Sequence, residues 1–413
     1  MLVTRPSRTR IKGTAVALAL AALPACDDRP LVVGEWIISH RGNDDAGASP
    51  ETEPGERPLP PQLPPPPDPC APAAPLVNRA VTLPAAELAR RLAFYLWRQP
   101  ADESLTTRLA GVKDTRGLRA VAATMLRDPR VENGVAALAR DWLNSDAILQ
   151  VDERAEIAGQ LVPELRQSMA QEPALALSAL LMQPSSPATR LEALLTSPVT
   201  YVDQRLATIY GAPTPVQTGA FVRAEVPDRS GLLTQAGFMA ANPRAPHRGE
   251  WLFGSFLCSQ VPAPPAPPSN GQPVMMKPGQ SYRDAFNAVN EPACTACHAF
   301  LESGWAMEHF DLLGRYRSTD NGAAIDSSAR LRLPRSNVEI VAQNARDLGQ
   351  KMAAACEVRA CVARTFLAHA VGKATHEVTD EQLLDLARAF AYADADLPTL
   401  LLDVVETEAF LAP

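Results

Sequence analysis

The sequence predicts a mainly α, multi-domain protein behind an export signal and a proline-rich tether. Three observations carry this. After residue 80 apolar residues recur at helical intervals in most windows, while alternating strand patterns are weak. With 413 residues, 46% of them hydrophobic, the chain can build several cored units. Its 39 prolines exceed the usual share of about 5% and concentrate in spacers. The net charge of −7 gives no electrostatic case for nucleic acid as a partner.

Residues 1–26 read as a lipoprotein signal peptide. Arg5, Arg8, Arg10 and Lys12 form a basic start, Gly13 to Ala22 are small and apolar, and Leu23-Pro24-Ala25-Cys26 has the form of a lipobox. The apolar run is shorter than the roughly 17–25 residues of a membrane span. Cys26 is therefore the expected lipidation site, and an acyl tether to the bilayer of the bacterial periplasm or cell surface is the expected location. Residues 27–80 form a linker rich in proline and acids. Ten prolines fall between Pro58 and Pro75, a composition that favours a stiff, extended spacer.

Residues 81–218 read as a helical domain. Leu88, Leu92, Tyr95 and Leu96 share a helix face. Further helices are expected over Gly117 to Leu126, after Pro129 through Trp142, and over Leu161 to Met182. Two short helices are expected between Leu191 and Tyr210, around Ser197-Pro198. Asp102, Glu103 and Asp128 suit helix starts or turns rather than catalysis.

Residues 219–335 hold the chemistry. A polar turn is expected over Asn242 to Gly249, a helix over Trp251 to Leu257, and another over Tyr282 to Val289. The last leads into Cys294-Thr295-Ala296-Cys297-His298. C-x-x-C-H is the attachment pattern of c-type haem, with two thiols placed for thioether bonds and a histidine for the iron. No second C-x-x-C supports a zinc site, and the helical surroundings disfavour a thioredoxin-like dithiol. Cys294, Cys297 and His298 are thus the expected cofactor residues, with one covalent haem c. The sixth iron ligand is open. Met307 and His247 lead; His309, Met239, Met275 and Met276 follow. Arg248 and Arg315 are the preferred partners for the haem propionates, ahead of Arg244 and Arg317. Residues 336–413 read as a C-terminal helical domain of two or three amphipathic helices.

Once Cys26, Cys294 and Cys297 are set aside, Cys70, Cys258, Cys356 and Cys361 remain, an even number for an oxidising compartment. Cys356 with Cys361 and Cys70 with Cys258 is one pairing of three; the sequence does not choose among them.

Several stretches resemble the multi-domain cytochrome c-like family of planctomycetes and myxobacteria, which is built from consecutive domains of unknown function. They are Leu88 to Trp97, Arg127 to Arg130, Tyr201 to Gly211, Gly231 to Ala236, Pro246 to Gly249 and, most sharply, Ala293 to Arg317. The resemblance covers roughly Leu83 to the C terminus and implies a cytochrome c-like haem-binding region in residues 219–335. The chain departs from the family pattern at Phe300 to Ser303, at Met307 and at His309. An axial role for Met307 or His309 would therefore be this chain's own.

The leading functional expectation is a lipid-anchored monohaem protein passing single electrons among redox partner proteins of the cell envelope. A haem enzyme of peroxidase or oxidase type is the first alternative, with Glu302, Glu308 or His309 as acid-base groups. An envelope binding or structural lipoprotein with a non-catalytic haem is the second.

Overall fold

The computed structural model describes residues 68–151, 157, 159–215, 219–261, 274–289 and 300–412. The signal, the lipobox Cys26, most of the linker and the motif residues Cys294, Cys297 and His298 lie outside the described residues.

The protein is mainly helical, as the apolar periodicity requires. The helices are α1 (Ala85–Trp97), α2 (Glu103–Leu109), α3 (Thr115–Met125), α4 (Val131–Leu143), α5 (Pro163–Leu181), α6 (Leu191–Thr196), α7 (Gln204–Tyr210), α8 (Ala236–Ala241), α9 (Ala245–Leu257), α10 (Tyr282–Val289), α11 (Ala345–Ala354), α12 (Cys356–Val371), α13 (Asp380–Tyr392), α14 (Leu397–Asp403) and α15 (Glu408–Leu411). Helix α1 buries Leu88, Leu92 and Leu96 along one stripe, each contributing about 1.5–3 kcal/mol by leaving water. Helix α2 is capped by Asp102, whose carboxylate accepts the Leu105 N–H at 2.8 Å, the helix-start role expected of it. Helix α5 continues past Pro173; the Met169 carbonyl, left without its usual helical donor, faces Gly237 on α8.

Three differences from expectation have local causes. The stretch Arg244 to Gly249 is not a turn but the start of α9. Pro246 stands in the first helical turn, where its missing N–H interrupts nothing. Between α6 and α7 the chain forms a strand, β1 (Val199–Val202), paired antiparallel with β2 (Val222–Glu225). Ser197-Pro198 stops α6, and the β-branched and aromatic run that follows suits an extended backbone. Two more ribbons follow the C-x-x-C-H region: β3 (Thr319–Asp320) with β4 (Ala323–Ala324), and β5 (Ala329–Arg332) with β6 (Glu339–Ala342).

The main core draws on both the early and the late helices of the described chain. Helices α1, α4, α9, α12 and α13 and the segment Glu302–Met307 all contribute to it. Helix α1 is tied to the C-terminal residues across it, as Tyr95 Oη donates to the Leu401 carbonyl at 3.1 Å and Arg91 to those of Phe410 and Ala412 at 2.6 Å. A second core lies between α5, β1, α7 and α8. At its centre Glu172 is fully buried and accepts from Tyr210 Oη at 2.6 Å and from Thr200. Burial pushes the Glu172 pKa above the usual carboxylate range, and the neighbouring Arg229 opposes the shift.

All four described cysteines are bonded, in a pairing other than the one singled out from sequence. Cys70 joins Cys356 and Cys258 joins Cys361, with Cα separations of 5.5 and 5.4 Å. Cys356 and Cys361 cannot join each other, because five residues along one α-helix turn their side chains to different faces. Helix α12 thus receives one bridge from the end of the linker and one from α9.

Candidate functional site

The described chain stops at Val289 and resumes at Phe300, so the structure shows the two flanks of the C-x-x-C-H motif. Both flanks pack on the same wall. Before the motif, α10 sets Tyr282 and Phe286 against Trp305, with ring centroids 6.1 and 5.5 Å apart. After it, Phe300 meets Phe253 of α9 edge-on at 5.8 Å. The backbone then drops onto α9 through two glycines. A Cβ on Gly249 would lie 2.7 Å from Leu301 Cα, and one on Gly304 would overlap the Ala245 carbonyl. Only residues without side chains permit this contact, which holds Glu302–Met307 along the first turns of α9.

Arg248 sits on the buried face of α9, 2% exposed, beside Gly249 and Leu252. Its Nη2 donates to Glu308 Oε1. Glu308 Oε2 accepts from Arg317 Nη2 at 3.0 Å, and Arg317 Nη1 reaches Asp320 at 2.6 Å. The four residues form a charge chain running from α9 to the β3–β4 ribbon. Burial pulls the Arg248 pKa below the ordinary guanidinium value, and the Glu308 carboxylate works against that. Nε and Nη1 of Arg248 are buried without a hydrogen-bond partner, and so is the Ser303 hydroxyl.

The other sequence candidates scatter. Met307 is fully buried in the main core, close in sequence to Trp305 and Phe310. His247 lies in the first turn of α9, next to Arg248. The His309 ring stacks on Tyr316 at 5.4 Å and its Nδ1 lies 3.0 Å from the Arg317 carbonyl, so a structural partner takes up that nitrogen. Met275 and Met276 are exposed, whereas Met239 is core. Arg244 stands over the Tyr282 ring at 4.5 Å. Arg315 does not join Arg248. It turns to the surface, pairing with Asp311 at 2.9 Å and donating to Gln160 at 2.7 Å, because Gly314 and the Asp311 turn carry it away from α9. Among the described residues no three His, Cys, Asp or Glu side chains are grouped to hold a metal, and no helix is long and apolar enough to cross a membrane.

Two family models match the chain. PSD4, protein of unknown function (DUF1592), matches residues 83–212, and PSCyt3, protein of unknown function (DUF1588), matches residues 229–320. Both models are specifically associated with one family. The chain belongs to the multi-domain cytochrome c-like family of planctomycetes and myxobacteria. In this cytochrome c-like chain the second match contains the C-x-x-C-H motif, α9 and the Arg248–Glu308 pair. The first takes in α1 to α7, the helical frame with its buried Glu172. No curated protein and no solved structure matches the chain.

From sequence, Glu308 stood only as an acid-base group, and Gly249 and Gly304 only as members of motifs, with no contact assigned to either. A carboxylate meeting an arginine sixty residues away carries no local signal. Gly249 had a weak one: an isolated glycine inside a helical stretch costs about 1 kcal/mol against alanine, which a close packing contact can offset.

Proposed function

We propose that this protein is an envelope-anchored c-type cytochrome that passes single electrons through one covalently bound haem. The observation that carries the reading is Cys294-Thr295-Ala296-Cys297-His298, whose two flanks are fixed on one wall of aromatic rings and glycines. The residues fit such a group. Two thiols and a histidine have the required spacing, and an orphaned buried guanidinium beside the flank suits a cofactor that bears carboxylates. Cys294 and Cys297 would hold the haem through thioethers and His298 would supply one axial nitrogen, leaving Met307 and His247 as this chain's candidates for the other axial place. When bound, haem supplies a one-electron couple. The chain's own part is steric. Phe253, Phe300 and Trp305 give an apolar wall that limits water, and Gly249 and Gly304 let the segment after the motif pack directly on α9.

Export and anchoring at Cys26 are supported by the basic and apolar start, by the lipobox pattern and by the two disulfides, which belong to an oxidising compartment. Partners would then be redox proteins of the envelope.

The test is expression in a host that matures c-type cytochromes. A pyridine haemochrome spectrum and an intact mass increased by one haem are expected, both lost in Cys294→Ser/Cys297→Ser. A mature chain with the bare polypeptide mass, from cells that load other cytochromes, refutes the proposal. Low-spin spectra that change in Met307→Leu or in His247→Gln would assign the sixth ligand.

A further inference from the structure

Helix α1 leaves one large apolar side chain in water. Phe94 is 38% exposed, although its neighbours Leu92, Ala93, Tyr95 and Leu96 are buried. Its ring borders a cleft of about 320 Å³ between α1, the end of α12 and α15, whose apolar surface is completed by Leu367, Val371, Val378 and Phe410. Small-molecule sites run about 300–1,000 Å³ and are mostly apolar with a few convergent polar groups. The lining also carries an excess of positive charge. Arg90 and Arg91 share one carboxylate, Glu87, at 2.7 and 2.6 Å. Lys373 follows Gly372, the residue that ends α12, and its ammonium has no ion pair among the described residues. A second cleft, of about 450 Å³, shares Gly372 and Lys373 with the first and adds Arg98, Arg140, Asp141 and His369. Asp141 is already engaged there, by His369 Nδ1 at 2.8 Å and by Arg98 at 3.4 Å, and Arg140 has only Asp146 at 3.8 Å. Nε of Arg98 is buried without a partner. Burial lowers the pKa values of His369 and Arg98, and the charge of Arg140 pushes both further the same way. An apolar cleft thus opens onto a cationic one, with Lys373 at the junction.

We propose that the two clefts form one binding site for a free single-chain acyl carboxylate. The tail lies in the first cleft, against Phe94 and Phe410, and the carboxylate accepts from the Lys373 ammonium on the side that faces Arg98. At about 30 Å³ for each water-sized group, the first cleft holds roughly ten methylene-sized groups, which sets the length of the tail. A neutral ligand of the same length would fill the apolar wall and leave the ammonium unanswered; a short anion would do the reverse. The site uses no residue of the C-x-x-C-H motif or of its flanks.

The test is isothermal titration calorimetry of the full mature chain with decanoate, kept below its micelle-forming concentration, beside octanoate, decanol and acetate. Decanoate should bind one to one. Octanoate, two methylenes shorter, should bind about tenfold more weakly. Decanol, which lacks the charge, should bind several-fold more weakly than decanoate, and acetate should give no binding heat. Lys373→Glu changes an exposed side chain; it should weaken decanoate about tenfold and leave decanol unchanged. Phe94→Ser should weaken both. Urea midpoints close to the wild type show that each variant is folded. A folded wild type that does not bind decanoate overturns the inference. So does decanoate binding that is the same in Lys373→Glu as in the wild type, or acetate binding as tight as that of decanoate, since a carboxylate would then be held somewhere other than this site.

Discussion

Gly249→Ala measures how firmly the segment after the motif is held. The added Cβ would stand 2.7 Å from Leu301 Cα and 2.8 Å from its carbonyl carbon, backbone atoms with no rotamer to escape into. Gly254, five residues on in the same helix, has nothing within 4 Å of the same added atom. Either substitution gains about 1 kcal/mol of helix propensity. Only the first meets the overlap, and overpacking a closely packed interior costs about 1–3 kcal/mol, with the upper end applying where backbone must move. The expected net is a loss of about 2 kcal/mol at Gly249 and a gain of up to about 1 kcal/mol at Gly254. Urea unfolding of the oxidised protein reads both as midpoint shifts at constant m-value. Midpoints that move in the same direction, or Gly249→Ala at the wild-type value, would refute the backbone contact as the device that fixes the flank.

Peptide mapping without reduction should recover Cys70 with Cys356 and Cys258 with Cys361, and Cys258→Ser/Cys361→Ser should cost about 2–5 kcal/mol on unfolding; a Cys70–Cys258 peptide would contradict the fold. Burial raises the Asp403 pKa to about 6 against the pull of Arg119, so the native state holds this proton more tightly than the unfolded chain. Stability from this group is therefore full below about pH 4 and falls as pH rises toward 6. Relative to Asp403→Asn, the wild type should lose at most about 3 kcal/mol across that window, and parallel stability profiles would exclude the effect. Tyr210→Phe removes the hydroxyl that donates to Glu172 at 2.6 Å and accepts from the Ala236 N–H at 2.8 Å. A loss of about 1–3 kcal/mol in thermal or urea unfolding is expected, because both partners stay buried; a change under half that range would mean water replaces the hydroxyl.

Local patterns in this chain were legible and long-range pairings were not. Helices α1, α3, α4, α5, α10 and α13 stand where their apolar spacing placed them, and Asp102 caps α2 as its residue type suggested. The start of α9 was missed because Asn242, Pro243 and Pro246 look like a turn, although a proline is equally at home in a first helical turn. Strand β1 was missed because four residues are too few for a period to show. Glu172 reads as an ordinary polar position of an amphipathic helix, and only folding brings Thr200 and Tyr210 to it. Of the candidate site, the residue types were visible in the motif and in Pro246 to Gly249. Which arginine is buried depends on a partner sixty residues away, and so Arg248 and Arg315 could not be told apart until the fold separated them.

The connectivity of the two bridges constrains the order of biogenesis. Cys356 and Cys361 are the last cysteines in the sequence, and each native bond needs one of them. An oxidant that acts while the polypeptide is still emerging meets Cys70, Cys258, Cys294 and Cys297 with no correct mate yet made. Any bond formed then is wrong and must be undone by thiol exchange, and one that captured Cys294 or Cys297 would also withhold a sulfur from the haem proposed above. Productive assembly therefore needs either delayed oxidation or a reductant kept at hand until the final helices have been delivered.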